Sequence, residues 1–135
     1  MRSKQCLTAT DVKKMLTACE AAAAKNNWAV AISIVDESGF LLGFTRLDGA
    51  AAITAEVSMS KARTSALTRR PSKFFEDFVK ERPAFVAFPA GLLIQGGVPV
   101  MHQNECVGAI GVSGVQSHQD EQVAQVGANA LGQDA

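Results

Sequence analysis

The chain has 135 residues, 47% of them hydrophobic, and its 13 lysine and arginine side chains balance 13 aspartate and glutamate side chains. This length and composition predict a single domain, residues 1–135, with one hydrophobic core. No block of like charge and no long apolar segment occurs, which argues against both nucleic acid and membrane partners. The first residues lack an apolar signal segment, so we expect a cytoplasmic protein.

The first third of the chain predicts a helix followed by a β-hairpin. Helical spacing begins at Thr8, with Asp11 as its capping-box partner. The apolar, β-branched run Trp28–Val35 predicts a central strand. The turn Asp36–Gly39 then predicts a hairpin to a returning strand, Phe40–Arg46.

The middle of the chain predicts two helices. The first runs from about Ala51 to Thr68 and is dominated by small residues, which allow a helix to lie close to a sheet or to a second subunit. Pro71 ends it, and Ser72 is expected to cap a short helix that carries three phenylalanines. The long helix carries a polar stripe at helical spacing, formed by Thr54, Ser58, Lys61 and Ser65.

The C-terminal half is rich in glycine, with six of the eleven glycines between Gly91 and Gly114. Glycine within apparent strands usually marks a bend or the close approach of a backbone or ligand. A final helix is predicted from Ser117, with Asp120 as its reciprocal cap. The predicted strands of this half are Leu92–Gln95, Val98–His102 and Cys106–Val112. The whole element order predicts an α+β fold with a largely antiparallel sheet.

A series of spaced motifs runs along the chain and includes Asp48-Gly49-Ala50, Gly96-Gly97-Val98-Pro99-Val100, Val107–Gly114 and Gln119-Asp120-Glu121. Together these motifs resemble the GlcG/HbpS-like family, which includes the C-terminal domain of PduO-type proteins. The resemblance covers nearly the whole chain and implies one profilin-like domain with a five-stranded antiparallel sheet flanked by helices. It also implies a homo-oligomer, from dimer to octamer, with heme bound in some members and links to the catabolism of small organic acids or aromatics.

Two charged residues of the second hairpin strand and its turn are candidates for ligand binding. Arg46 and Asp48 could form a salt bridge, with Asp48 capping the following helix. Alternatively, Arg46 binds a carboxylate or a heme propionate, because its planar guanidinium suits bidentate contact. Lys61 could be an exposed lysine, or it could face the ligand and serve in acid–base chemistry.

The glycine-rich segments offer a second set of candidates. Gly96, Gly97, Ser113 and Gly114 could present backbone N–H groups to an anion, or the glycines could only permit sheet bends and tight packing. Phe88 is expected at a pocket mouth, within an aromatic cluster that could line a flat apolar ligand or form core or oligomer contacts.

The histidines and cysteines give the remaining candidates. His102 is expected at the surface, whereas His118, in the first turn of the last helix, could be an acid–base group, an axial heme ligand or a surface residue. The three cysteines, Cys6, Cys19 and Cys106, fit no metal motif, and Cys19 is expected in the core.

Two functions follow from these residues. The first is a homo-oligomeric binding domain for heme, a related tetrapyrrole or a small organic acid, favoured by the family resemblance. The alternative is a small cofactor-independent enzyme that acts on a carboxylate metabolite such as an aromatic ring-cleavage product. In that enzyme, Arg46 would hold the carboxylate and Lys61 or His118 would move the proton.

Overall fold

Residues 1–132 are described here from a computed structural model. Four α-helices and four strands form the fold, with a short 3₁₀ helix, Pro83–Ala87, after the third α-helix. The helices are α1 (Ala9–Lys25), α2 (Ile53–Thr68), α3 (Ser72–Glu81) and α4 (Ser117–Ala130). The strands are β1 (Ala31–Asp36), β2 (Leu41–Arg46), β3 (Gly97–His102) and β4 (Glu105–Ser113).

The sheet is antiparallel throughout and has the order β2-β1-β4-β3. The α+β prediction is confirmed, but the sheet of the described residues has four strands where five were predicted. The predicted strand Leu92–Gln95 is irregular because side chains satisfy its backbone. The Leu92 N–H donates to Ser60 Oγ at 2.8 Å, and Ser72 Oγ donates to the Ile94 carbonyl at 2.6 Å.

Helices cover both faces of the sheet. Helices α1 and α4 enclose the larger apolar core, whereas α2 lies against the other face on small residues. A Cβ at Gly111 would collide with the Ser58 carbonyl oxygen, and one at Gly97 would collide with that of Lys61. Glycine therefore lets the backbone of α2 approach the sheet directly. The large core side chains include Met15, Ile32, Ile34, Val100, Ile110, Val112 and Val123.

The predicted caps are correct for α1 and wrong for α3. The Thr8 N–H donates to Asp11 Oδ2 at 2.8 Å, and the Asp11 N–H donates to Thr8 Oγ1 at 3.1 Å, which completes the capping box. Ser72 lies inside α3, whose N-cap position is Pro71. The Ser72 hydroxyl is instead used to hold the loop that precedes β3, since it accepts the Gly97 N–H at 2.9 Å.

Strand β2 is an edge strand with an apolar, exposed side. Leu41, Leu42 and Phe44 are all exposed, and Phe40 just before the strand is 68% exposed. Such an edge offers both unpaired backbone groups and apolar side chains to another chain. Within residues 1–132, no helix combines the length and the apolar character needed to cross a bilayer.

Candidate functional site

Several of the predicted site residues meet at one end of the sheet. Arg46 pairs with Ala31 on β1, and Ala31 pairs with Ser113 on β4, so the three lie in one row across the sheet. Gly114 follows directly and has a φ of 149°, a backbone conformation that favours glycine. We call Arg46, Ala31 and Ser113 the Arg46 row.

Lys61 lies beside this row but is enclosed by protein. Its side chain is buried, and its Nζ donates to Asp120 Oδ2 at 3.1 Å and to the Val112 carbonyl at 3.1 Å. A Cβ on Gly96 would lie 2.7 Å from the same Nζ, so a side chain at this position would press on the ammonium group. The interpretation of Lys61 as an exposed lysine is therefore wrong.

Asp120 is the ion-pair partner of Lys61, and the sequence did not predict this pairing. Burial raises the pKa of its carboxyl group, while the Lys61 ammonium and the hydrogen bond from the Val115 N–H act in the opposite direction. The cap predicted for Asp120 is formed instead by Gln116 and Gln119. A buried lysine needs a negatively charged partner nearby, but the spacing of residues in the sequence does not show which carboxylate provides it.

Arg46 and Asp48 are both exposed and make no ion pair within residues 1–132. The helix cap predicted for Asp48 is also absent, because α2 begins later, with Ala52 at its N-cap position and no side-chain cap. The salt-bridge and cap interpretation of this pair is therefore wrong. The Arg46 guanidinium is left available to a ligand.

Phe88 belongs to a different part of the surface. It stacks on Phe75 with ring centroids 5.5 Å apart and on Phe85 at 5.1 Å. These rings join Phe74 and Phe78 in an aromatic cluster formed by α3, the 3₁₀ helix and the residue that follows it, with Arg70 4.3 Å above the Phe74 ring. The contacts of Phe88 are therefore with this cluster, and the structure does not join it to Lys61 or Arg46.

The two histidines occupy contrasting surroundings. His118 is exposed on α4, in an open groove whose other lining residues are mainly polar. His102, expected to be a surface residue, is half-buried in a cleft of about 250 Å³. The other lining residues of this His102 cleft are Gln5, Cys6, Leu7, Asp11, Val107, Leu131 and Gly132.

The His102 cleft combines an apolar wall with titratable groups. Leu7, Val107 and Leu131 form the wall, and the Asp11 carboxylate lies close enough to interact with the imidazole. The Thr8 hydrogen bonds lower the pKa of Asp11, with smaller contributions from Lys14 and then from His102. Sequence reasoning missed this cleft because it is assembled from three segments that are distant in the chain.

Comparison with known proteins assigns the chain to a family. The model of the family described as "Haem degrading protein HbpS-like" matches residues 7–129. The chain belongs to the HbpS-like family. Its resemblance to GlcG/HbpS-like proteins is thereby confirmed, and the match spans every helix and strand except the last residue of α4.

Relatives and solved structures agree with this HbpS-like assignment. Protein GlcG of Escherichia coli K12 is 41% identical over 114 residues, which are 84% of this chain and 85% of GlcG. A double mutant of HbpS from Streptomyces reticuli superposes with a TM-score of 0.91 at 31% identity, over 98% of this chain and 91% of that one. A PduOC:heme complex has a TM-score of 0.87 at 22% identity, covers 95% of this chain and 96% of its own, and shows the shared fold.

Proposed function

We propose that this chain is a ligand-binding domain for heme or a related tetrapyrrole. The observation that carries the proposal is the His102 cleft, which a half-buried histidine lines together with three apolar residues, Leu7, Val107 and Leu131. Membership of a family described as heme-degrading and HbpS-like supports the choice of ligand. So does the neighbouring PduOC structure, which is a complex with heme.

The residues of the His102 cleft fit a heme in two respects. Heme iron in proteins is held by histidine, cysteine, methionine or tyrosine, and the chain contains no tyrosine. His102 and Cys6 both line the cleft and are the donors there. Leu7, Val107 and Leu131 would pack against the part of the apolar macrocycle that enters the cleft.

In this proposal the iron is bound as part of the heme and not as a free ion. Within residues 1–132, no group of three or more histidine, cysteine, aspartate or glutamate side chains could hold a metal ion. The cleft, at about 250 Å³, is also smaller than the roughly 300–1,000 Å³ typical of pockets that enclose drug-sized ligands. Only one part of a tetrapyrrole would therefore fit into the cleft, and the rest of the macrocycle would lie at the protein surface.

We further propose that the protein works as a homo-oligomer. The apolar edge at β2, with Leu41, Leu42 and Phe44 exposed, supports this, since a second chain would remove these side chains from water. Size-exclusion chromatography coupled to light scattering measures the molar mass of the assembly directly. Phe44→Lys should shift it toward smaller species, because the substitution would place a charge in the contact.

A hemin titration tests the ligand. Near-stoichiometric addition should shift the Soret band, and His102→Ala should weaken hemin binding about tenfold or more. His118→Ala is the matched control and should bind as the wild type does, because its imidazole is exposed among polar side chains. Cys6→Ser tests the second donor in the same cleft.

The possible outcomes separate the two histidines. No Soret shift in the wild type would reject heme as the ligand. Loss of the shift in His118→Ala, with normal binding in His102→Ala, would instead support the sequence-based prediction that His118 is the axial ligand. The cytoplasmic location and the link to catabolism of organic acids or aromatics remain predictions.

A further inference from the structure

The His102 cleft holds an acidic side chain of α1 beside its histidine. Asp11 and His102 both line this cleft of about 250 Å³, and both are half-buried. The Asp11 carboxylate interacts electrostatically with Lys14 and with His102, and of these two only His102 lines the cleft. The carboxylate and the imidazole therefore share a partly enclosed space, where a hydrogen bond between them would be stronger than in water.

The α1 cap fixes the position of the Asp11 carboxylate. Its Oδ2 accepts the Thr8 N–H at 2.8 Å, and the Asp11 N–H donates to Thr8 Oγ1 at 3.1 Å. A change of the Asp11 rotamer would break the hydrogen bond from the Thr8 N–H, so the side chain is held in place. The cap uses Oδ2, which leaves Oδ1 to accept from a second donor.

The backbone of His102 is fixed by a tight hairpin, but its ring needs a partner. His102 is the last residue of β3 and pairs with Glu105 across the turn Gln103-Asn104, whose φ values are 49° and 65°. This turn determines where the side chain starts. A hydrogen bond to a neighbouring group determines how the ring is turned and which ring nitrogen carries the proton.

We propose that Asp11 is a positioning residue for His102. Its Oδ1 accepts a hydrogen bond from one ring nitrogen and thereby holds the ring in one tautomer, with the lone pair of the other nitrogen directed into the cleft. Among the described residues, the other ionisable groups that line the cleft or pair with His102 are Cys6 and Glu105. The Cys6 thiol is a weak acceptor and Glu105 is exposed to water, so Asp11 is the strong acceptor in the cleft.

A carboxylate partner of this kind orients a metal-binding histidine and raises its basicity as a ligand. This consequence for heme rests on the proposed function. The tautomer of His102 does not depend on it, because the hydrogen bond forms between two side chains of the chain itself.

NMR of the heme-free protein tests the tautomer. Long-range ¹H–¹⁵N spectra at about pH 8.5, where imidazoles are ordinarily neutral, distinguish the two ring nitrogens. His102 should show one predominant tautomer in the wild type. In Asp11→Asn the amide oxygen can keep the cap, which places an NH₂ donor where Oδ1 was, so the predominant tautomer of His102 should be lost. The exposed His118 is the internal reference and should not change.

Thr8→Ala is the matched control, because it breaks the capping box and keeps the carboxylate. Its His102 tautomer and its affinity for hemin should be those of the wild type. Asp11→Asn should bind hemin about tenfold more weakly, as is usual when the partner of a metal-binding histidine is lost. The midpoint potential of its bound heme should also be more positive, because a carboxylate behind the histidine favours the ferric iron.

An Asp11→Asn protein with the wild-type tautomer would overturn the proposal and leave hemin binding by His102 intact. Equal changes in Thr8→Ala would also overturn it, since the cap and not the carboxylate would then control the ring. A wild type that does not bind hemin would reject heme as the ligand, and the tautomer of the heme-free protein would still decide whether Asp11 positions His102.

Discussion

Replacing Lys61 with methionine should destabilise the fold far more than replacing an exposed lysine. The Lys61–Asp120 ion pair joins α2 to α4, and the side chains are only 4% and 3% exposed. Methionine has a similar length and no charge, so Lys61→Met leaves the Asp120 carboxylate buried with a single hydrogen bond, from the Val115 N–H. An uncompensated buried charge of this kind is expensive.

The expected loss is about 3–5 kcal/mol, the range observed when one partner of a buried pair is removed. Domains of this size are stable by about 5–15 kcal/mol, so the loss is a large part of the total. Asp120→Asn should cost a similar amount, because Lys61 loses its negatively charged partner and the single amide oxygen of asparagine replaces two carboxylate oxygens that accept from Lys61 and from the Val115 N–H. The double variant, Lys61→Met with Asp120→Asn, removes both charges. Its loss of unfolding free energy should be smaller than the sum of the two single losses by at least about 2 kcal/mol.

Urea unfolding, followed by circular dichroism and by the fluorescence of Trp28, measures these free energies. All variants are compared at one protein concentration, since assembly would contribute to apparent stability. Lys80→Met is the control: its side chain is 74% exposed, and its loss should cost less than about 1 kcal/mol. A Lys61→Met variant as stable as this control, or additive losses in the double variant, would refute the reasoning.

Three further predictions follow from the packing and the caps. Gly111→Ala should lower the unfolding free energy by about 1–3 kcal/mol or more in the same urea assay, because its Cβ would strike the backbone of α2; a wild-type midpoint would contradict this. Asp11→Asn should destabilise the fold at pH 7. The folded pKa of Asp11 lies below the unfolded value of 3.8, so its contribution is complete above 3.8 and the difference between variant and wild type should shrink as the pH falls through the folded pKa; a pH-independent difference would argue against it. In the native protein, iodoacetamide should label the exposed Cys6 and spare Cys19, because burial raises the pKa of the Cys19 thiol to about 12. Mass spectrometry identifies the labelled cysteine, and labelling of Cys19 before Cys6 would contradict the prediction.

Local patterns were enough to predict most of the helices and strands. The α1 capping box depends on two residues three positions apart, so Thr8 and Asp11 identify it without any tertiary information. The hairpin at Asp36–Gly39 is equally local, because the Gly39 φ of 85° is available mainly to glycine. The segment Leu92–Gln95 failed because its backbone partners are hydroxyl groups on α2 and α3, which no local pattern reveals.

The sequence by itself determined the family, the fold class and the small-residue face on which α2 lies, because motif spacing and side-chain periodicity are properties of the chain. Only the tertiary structure decided what the charged residues do. It paired Lys61 with Asp120, 59 residues away, left Arg46 free, and placed His102 rather than His118 in a cleft. These outcomes depend on which surfaces meet when helices close over the sheet, and burial then determines whether a charge needs a partner or remains available to a ligand.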